Sequence, residues 1–179
     1  LTDLHLGPFG ARRGVERLVR QARETKPDLI LCTGDVFDLA PKRAAALAEA
    51  IAGLRAPRGK FAVTGNHEYY AALEHGIGLL ERCGFTVLRE QSVLVDGWLR
   101  IAGVDDPAGV YTGRGESLRD EEKALRDVSA DAFCVLLKHQ PRVRQQSAAK
   151  VDLQLSGHTH GGQIFPFHLI MQRRFPLGS

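Results

Sequence analysis

The chain has 179 residues, of which 44% are hydrophobic and 25% charged, the balance of a folded globular domain. That excludes a disordered tail, a collagen-like repeat and a coiled coil. Its 24 Lys and Arg against 21 Asp and Glu leave a formal charge of +3, spread along the chain, so no nucleic-acid partner is expected.

In chain order, short apolar runs alternate with helical patterns, which is α/β architecture. Val15, Leu18, Val19 and Ala22 recur at helical spacing through residues 14–25, and Pro27 helps to stop that helix. Residues 29–33 read as a buried strand, 42–54 as an Ala-rich helix with one apolar face, and 60–64 as a second strand. A helix over 69–83 follows, with Gly84 as its C-cap. Residues 98–104 form a third strand and 116–128 a charged surface helix. Residues 132–137 form a fourth strand, 141–149 hold a short helix, and 151–156 form a fifth strand. None of the apolar runs is long enough to cross a bilayer. Cys32, Cys83 and Cys134 are odd in number and lack CxxC spacing, so they suit neither a disulfide framework nor a zinc cluster. No repeat, low-complexity segment or linker divides the sequence, and residues 1–179 read as one domain.

The unusual residues fall at the strand ends. Asp3 and His5 follow the first apolar residues, Gly34-Asp35 the next strand, and Gly65-Asn66-His67-Glu68 the one after. His139 closes another, and Gly157-His158-Thr159-His160 the last. In open α/β sheets, ligands bind at the carboxyl ends of strands, so these side chains should converge on one cleft. On an extended segment, side chains repeat every two residues, which would aim Asp3 with His5, and His158 with His160. Carboxylate, imidazole and amide oxygen without thiolate suit Mn, Fe, Zn, Co or Ni. Seven ligands are too many for one tetrahedral ion but fit two ions sharing a carboxylate, ~3.5–4 Å apart. Gly34, Gly65 and Gly157 fit sharp turns into such a cleft, through positive φ or close approach. His75, inside a helix, and His168, in an apolar run, read as solvated or packed side chains.

Five blocks stand in order: Asp3-Leu-His5, Gly34-Asp35-Val-Phe-Asp38, Gly65-Asn66-His67-Glu68, His139 and Gly157-His158-Thr-His160. Together they resemble the calcineurin-like metallophosphoesterases, whose pattern is DxH, GDxxD, GNH[DE], an isolated His and GHxH. The resemblance implies a four-layer α/β/β/α sandwich of two mixed sheets over residues 1–179, as a single catalytic domain. It implies two divalent transition-metal ions, Mn2+, Fe2+/Fe3+ or Zn2+. Asp3, His5 and His160 would hold the first and Asn66, His139 and His158 the second, with Asp35 bridging. A hydroxide between the metals would attack phosphorus in line, and His67 would protonate the leaving oxygen or stabilise charge there. Asp38 would orient His67, or else cap the helix that follows it.

The finer sequence Gly157-His-Thr-His-Gly-Gly-Gln163, with Gly65-Asn-His-Glu-Tyr-Tyr70, is similar to a group of bacterial phosphodiesterases. That group is often membrane-associated and includes enzymes cleaving the pyrophosphate of UDP-diacylglucosamine. The resemblance implies a small-molecule or lipid-linked diester or pyrophosphate as substrate. Arg12 and Arg13, and with them Arg114, are candidates for a second anionic group. The apolar residues of 164–171, followed by Arg173 and Arg174, suit either a peripheral membrane contact through 164–174 or core packing. A nuclease, a cyclic-nucleotide phosphodiesterase, a phosphoprotein phosphatase and a non-catalytic metal-binding scaffold are the alternatives. With only Leu1 and Thr2 before Asp3, and an end soon after Gln163, the sandwich is expected to be trimmed at both ends. A leader or anchor outside the chain leaves cytoplasmic and membrane-associated locations both open.

Overall fold

The computed structural model describes residues 1–6, 11–37, 48–113, 120–129, 131–142 and 144–160. Helix α1 (Ala11–Glu24) turns Val15 and Val19 inward, four residues apart, and leaves Arg13, Glu16, Arg17, Arg20, Arg23 and Glu24 exposed. Strand β1 (Ile30–Cys32) follows, and after helical residues 48–52 comes β2 (Lys60–Ala62). The expected helix over 69–83 is two helices, α2 (Asn66–Ala71) and α3 (Leu73–Arg82), broken where Ala72 is extended. The break lets each helix face its own partner: α2 turns Glu68 toward the strand ends, while α3 lays Leu79 and Leu80 on the sheet. Burying each of those leucines contributes about 1.5–3 kcal/mol. Gly84 ends α3 as expected, at φ +81°, with its N–H on the Glu81 carbonyl and that of Phe85 on the Leu80 carbonyl.

The remaining described elements are β3 (Thr86–Val87), β4 (Gln91–Val95), β5 (Leu99–Gly103), α4 (Ala108–Tyr111), α5 (Asp120–Ala124), β6 (Phe133–Leu137), α6 (Gln145–Ala148) and β7 (Leu153–Leu155). Strands β3 and β4 and helix α4 are additions to the sequence reading. Helix α5 stops short of the expected 128, in a turn that brings Leu125 and Val128 onto the sheet.

Two sheets form. The first has the order β1-β2-β3, parallel, with Ile30 opposite Lys60 and Phe61 opposite Thr86. The second has the order β4-β5-β6-β7, with β4 antiparallel to β5 and the others parallel. Phe61, Val63 and Leu88 meet Ile101, Val135 and Leu137 between the sheets. On the outer face of the first sheet, α1, residues 48–51 and α3 cover Cys32 and Ala62. On the outer face of the second, Ala124 and Leu125 cover Ala102, Cys134 and Leu136. The layers are α/β/β/α, as the family resemblance implied. All three cysteines are buried and free, and burial pushes the Cys32 and Cys83 thiols up to about 11, so they pack rather than react.

Candidate metal centre

The centre starts where residues 1–6 lie along residues 31–36. The Leu1 amino group donates to the Leu31 carbonyl at 2.8 Å, and the Thr33 N–H donates to the Leu1 carbonyl at 3.0 Å, extending the first sheet beside β1. The regular ladder then gives way. Asp3 N–H donates to the Gly34 carbonyl at 3.1 Å, and His5 N–H to the Asp35 carbonyl at 3.0 Å. Asp3, His5 and Asp35 take left-handed φ values of 47°, 39° and 52°, and His158 and His160 take 72° and 50°. This corrects the expectation of extended pairs: left-handed kinks, not a strand's two-residue repeat, turn both side chains of each pair into the cleft. Left-handed backbone costs an ordinary residue about 1–2 kcal/mol, and such strain gathers at functional sites.

Glycines provide the clearance. Gly34 has φ +95° and packs on the Gly65 backbone. A side chain at Gly65 would collide with the Asp35 carboxylate, and one at Gly157 with Thr2 and the Asp3 carboxylate. Close approach, rather than positive φ, is therefore the requirement at Gly65 and Gly157.

Seven sequence-predicted donors come together in two groups. In the first, His5 Nε2 is 2.9 Å from His160 Nε2, and Asp3 Oδ1 is 3.5 Å from His160 Nε2. In the second, Asn66 Oδ1 is 3.1 Å from His139 Nε2 and 2.9 Å from His158 Nδ1, and those two nitrogens are 3.3 Å apart. Asp35 Oδ2 lies between the groups, 3.7 Å from His5 Nε2 and 3.1 Å from His139 Nε2. In the second group Asn66 and His139 are buried and His158 is half-buried, whereas His5 and His160 reach the surface. His158 N–H donates to Asp3 Oδ1 at 2.9 Å, tying the two ends of the chain segment together.

The donor chemistry fits cations. His139 Nδ1 is 2.7 Å from the Thr33 carbonyl, so it carries the proton and leaves the Nε2 lone pair facing Asn66 Oδ1 and His158. Lone pairs crowded this closely need a positive charge among them. Burial opposes the charge on Asp35, but the His139 ring and the His67 N–H together hold its carboxyl below the ordinary value. Burial likewise opposes charge on His139, and Asp35 outweighs it, raising the imidazole to about 9. The proton that this pair would share is what a metal ion displaces. Oxygen and nitrogen donors without sulfur match transition-metal ions rather than a thiolate site.

His67 stands next to these groups, and with His5 and Asp35 it forms a further set whose ligand atoms are close enough to hold an ion. Its N–H donates to Asp35 Oδ1 at 3.0 Å, and its ring meets the His5 ring edge-on, 4.6 Å between centroids. Glu68 has a role the sequence reading did not assign. It is 1% exposed, and its carboxylate accepts the N–H groups of Asp35 (3.0 Å), Val36 (2.9 Å) and Gly65 (2.8 Å). It clamps together the two loops that carry Asp35 and Asn66. The helix-start pattern Gly-x-x-Glu could have revealed only its bond to Gly65.

Asp38, Arg114 and residues 164–174 lie outside the described residues, as does the side chain of Arg12. Arg13 is exposed on α1. His75 lies on α3 and joins none of the donor groups found among the described residues.

Comparison with known proteins places a chain with this strand-end cluster in a family. Over residues 1–162 the chain matches the family described as calcineurin-like phosphoesterase, and it belongs to that family. It is 43% identical over 164 residues to an uncharacterized metallophosphoesterase of Aquifex aeolicus, covering 92% of this chain and 62% of the relative. It is 34% identical over 183 residues to a transmembrane protein with metallophosphoesterase domain of Danio rerio, covering 95% of this chain and 41% of that protein. The chain thus spans less than two thirds of the length of these relatives. Among solved structures, the 5′-nucleotidase precursor of Thermus thermophilus shares the fold. Its TM-score is 0.56 at 20% identity, over 82% of this chain and 35% of that one. Among the described residues, no helix is long and apolar enough to cross a membrane.

Proposed function

We propose that residues 1–179 form a catalytic domain that hydrolyses a phosphodiester or pyrophosphate at a two-metal centre. The observation that carries this reading is the position of Asp35 Oδ2, 3.7 Å from His5 Nε2 and 3.1 Å from His139 Nε2, where one carboxylate joins two donor groups. Asp3, His5, His160 and Asp35 would hold one ion, and Asn66, His139, His158 and Asp35 the other. Mn2+, Fe2+/Fe3+ or Zn2+ suits these donors. Bound there, such ions would polarise phosphoryl oxygens and lower the pKa of water toward about 7.

The protein's own groups do the rest. Thr33 fixes the His139 tautomer through its carbonyl, and Glu68 holds the Asp35 and Asn66 loops at their separation. His67 is anchored through its N–H to Asp35, so its imidazole is steadied beside the phosphoryl position and donates a proton to the departing oxygen as the P–O bond breaks. Asp38 orients that imidazole in this reading. A diester or pyrophosphate is preferred over a monoester because the extended glycine-rich block 157–163 is similar to phosphodiesterases. A lipid-linked form is supported by the apolar sequence of 164–171, with Arg173 and Arg174 beyond it.

The test is hydrolysis of bis-p-nitrophenyl phosphate against p-nitrophenyl phosphate with Mn2+, Zn2+ or chelator, in wild type and His67→Ala. Diester turnover should exceed monoester turnover, vanish with chelator, and fall about 10²–10⁴-fold in the variant. Faster monoester turnover would make the enzyme a phosphatase instead. Full metal occupancy with no turnover of either ester would sink the catalytic reading.

A further inference from the structure

Two short helices start at the rim of the donor cluster, α2 directly after Gly65 and α4 shortly after Asp105 and Asp106, and they touch each other. Helix α2 buries Asn66, Glu68 and Tyr69. A spacing of three then brings His67 and Tyr70 together on its other face. The two rings are 6.0 Å apart between centroids and tilted by 56°, and Tyr70 is 66% exposed. Helix α4 packs Ala108 beneath, in one cluster with Tyr69 and Leu73, and leaves Val110 and Tyr111 exposed, the latter by 84%. The other large exposed apolar side chains among the described residues are Leu94, Trp98, Phe133 and Leu153. They lie toward the opposite end of the second sheet, where β5, β6 and β7 begin.

Isolated exposed tyrosines are ordinary. Tyr70 differs because it stands one helical turn from the residue that meets the leaving oxygen. The donor cluster takes the phosphoryl group and His67 the oxygen that departs. A group attached to that oxygen comes within reach of Tyr70, whose ring is 6.0 Å from that of His67 between centroids. A phenol ring offers a flat apolar face at little entropic cost, and π faces pair with planar groups. We propose that Tyr70 determines specificity by stacking on a planar aromatic ring carried by the leaving group, that of an aryl alcohol or the base of a departing nucleoside, with Tyr111 widening the platform. The inference rests on the phosphoester-hydrolase reading above.

The experiment compares methyl p-nitrophenyl phosphate, whose leaving group is planar, with bis(2,2,2-trifluoroethyl) phosphate, whose leaving group is not. Both are followed in the Mn2+-loaded protein as wild type, Tyr70→Ala, Tyr70→Leu, Tyr70→Phe and Trp98→Ala. Tyr70→Ala and Tyr70→Leu should raise KM for the aryl ester about tenfold with kcat nearly unchanged, in the range of one stacked ring. Tyr70→Phe and Trp98→Ala should behave as wild type, and the trifluoroethyl ester should not respond to any of them. Competitive inhibition by adenosine 5′-monophosphate, set against inorganic phosphate, separates the two sources. A tenfold weaker nucleotide in Tyr70→Ala assigns the platform to a nucleoside, and a nucleotide no better than phosphate assigns it to another aryl group. Unchanged KM for the aryl ester, or equal losses on both esters, overturns the inference. Absence of turnover in the metal-loaded wild type overturns the hydrolase reading itself, before any variant is compared.

Discussion

At the scale of single residues, Glu68 shows how a side chain outside the donor groups can hold those donors in place. Three backbone N–H groups converge on its buried carboxylate, two of them 32 and 33 residues earlier in the chain. In Glu68→Gln, an amide NH2 replaces one acceptor oxygen and faces a donor. Bonds to a charged acceptor are worth about 1.5–3 kcal/mol, and outer partners of ligands typically change metal affinity by about 10–100-fold. The variant should therefore lose stability of that order in urea unfolding, and bind Mn2+ at least tenfold more weakly by calorimetry. Wild-type affinity in a destabilised variant would reduce Glu68 to a purely structural role. The donors themselves were legible because each pairs a chemically distinctive type with a strand end. Their left-handed backbones were not. Asp and His tolerate positive φ better than most residues, but nothing local in Asp3-Leu-His5 distinguishes that conformation from a strand.

Among elements, strand β6 and helices α5 and α6 are fastened by a buried polar latch next to His139. Lys138 Nζ pairs with Glu121 and donates to the Arg142 carbonyl at 2.8 Å, while the Ser147 hydroxyl donates to the same Glu121 carboxylate. Lys138→Met leaves the buried Glu121 carboxylate with only the Ser147 hydroxyl and Arg144 Nε at 3.5 Å, so the loss should reach at most the ~3–5 kcal/mol of a broken buried pair. Lys138→Met with Glu121→Leu removes both charges and should recover most of that loss. Thermal melts of the two variants decide it. A double variant no more stable than the single would show that the residues act separately. The sequence could not announce this latch, since its members are 17 and 26 residues apart, Lys138 at a strand end, Glu121 in a segment that reads as surface helix and Ser147 in one that reads as a short helix. The long buried strands were legible from their apolar runs. Strand β4 was not, because its exposure pattern breaks the alternation that marks a half-buried strand. Its one available signal was Asp96-Gly97, both at positive φ, which turns β4 into β5 and is a known hairpin pair. The division of α2 from α3 lacked even that, for Ala72 is a residue that favours helix and carries no mark of a break.

For the molecule as a whole, the centre is a joint. Asp3, His5, Asp35 and Asn66 belong to the edge of the first sheet, and His139, His158 and His160 to that of the second. The interior between the sheets is apolar, and at this edge the donor groups bridge the sheets together with the Thr64–Asp105 hydrogen bond and the packing of Tyr69 on Ala108. A cation bound there stabilises only the folded state, by about 4 kcal/mol when its concentration is 1,000 times Kd. For a chain of this size, 1 kcal/mol moves Tm by about 2–4 °C, so chelation should lower Tm by roughly 8–16 °C. Restored Mn2+ should return it. Asn66→Ala provides the internal check, because it removes a donor from the second group alone. Its chelator-sensitive shift should shrink without vanishing, as the first group still holds an ion. If stripping the metal leaves Tm unmoved, the two sheets are locked without it, and the left-handed donors are held in place by the fold rather than by the ions.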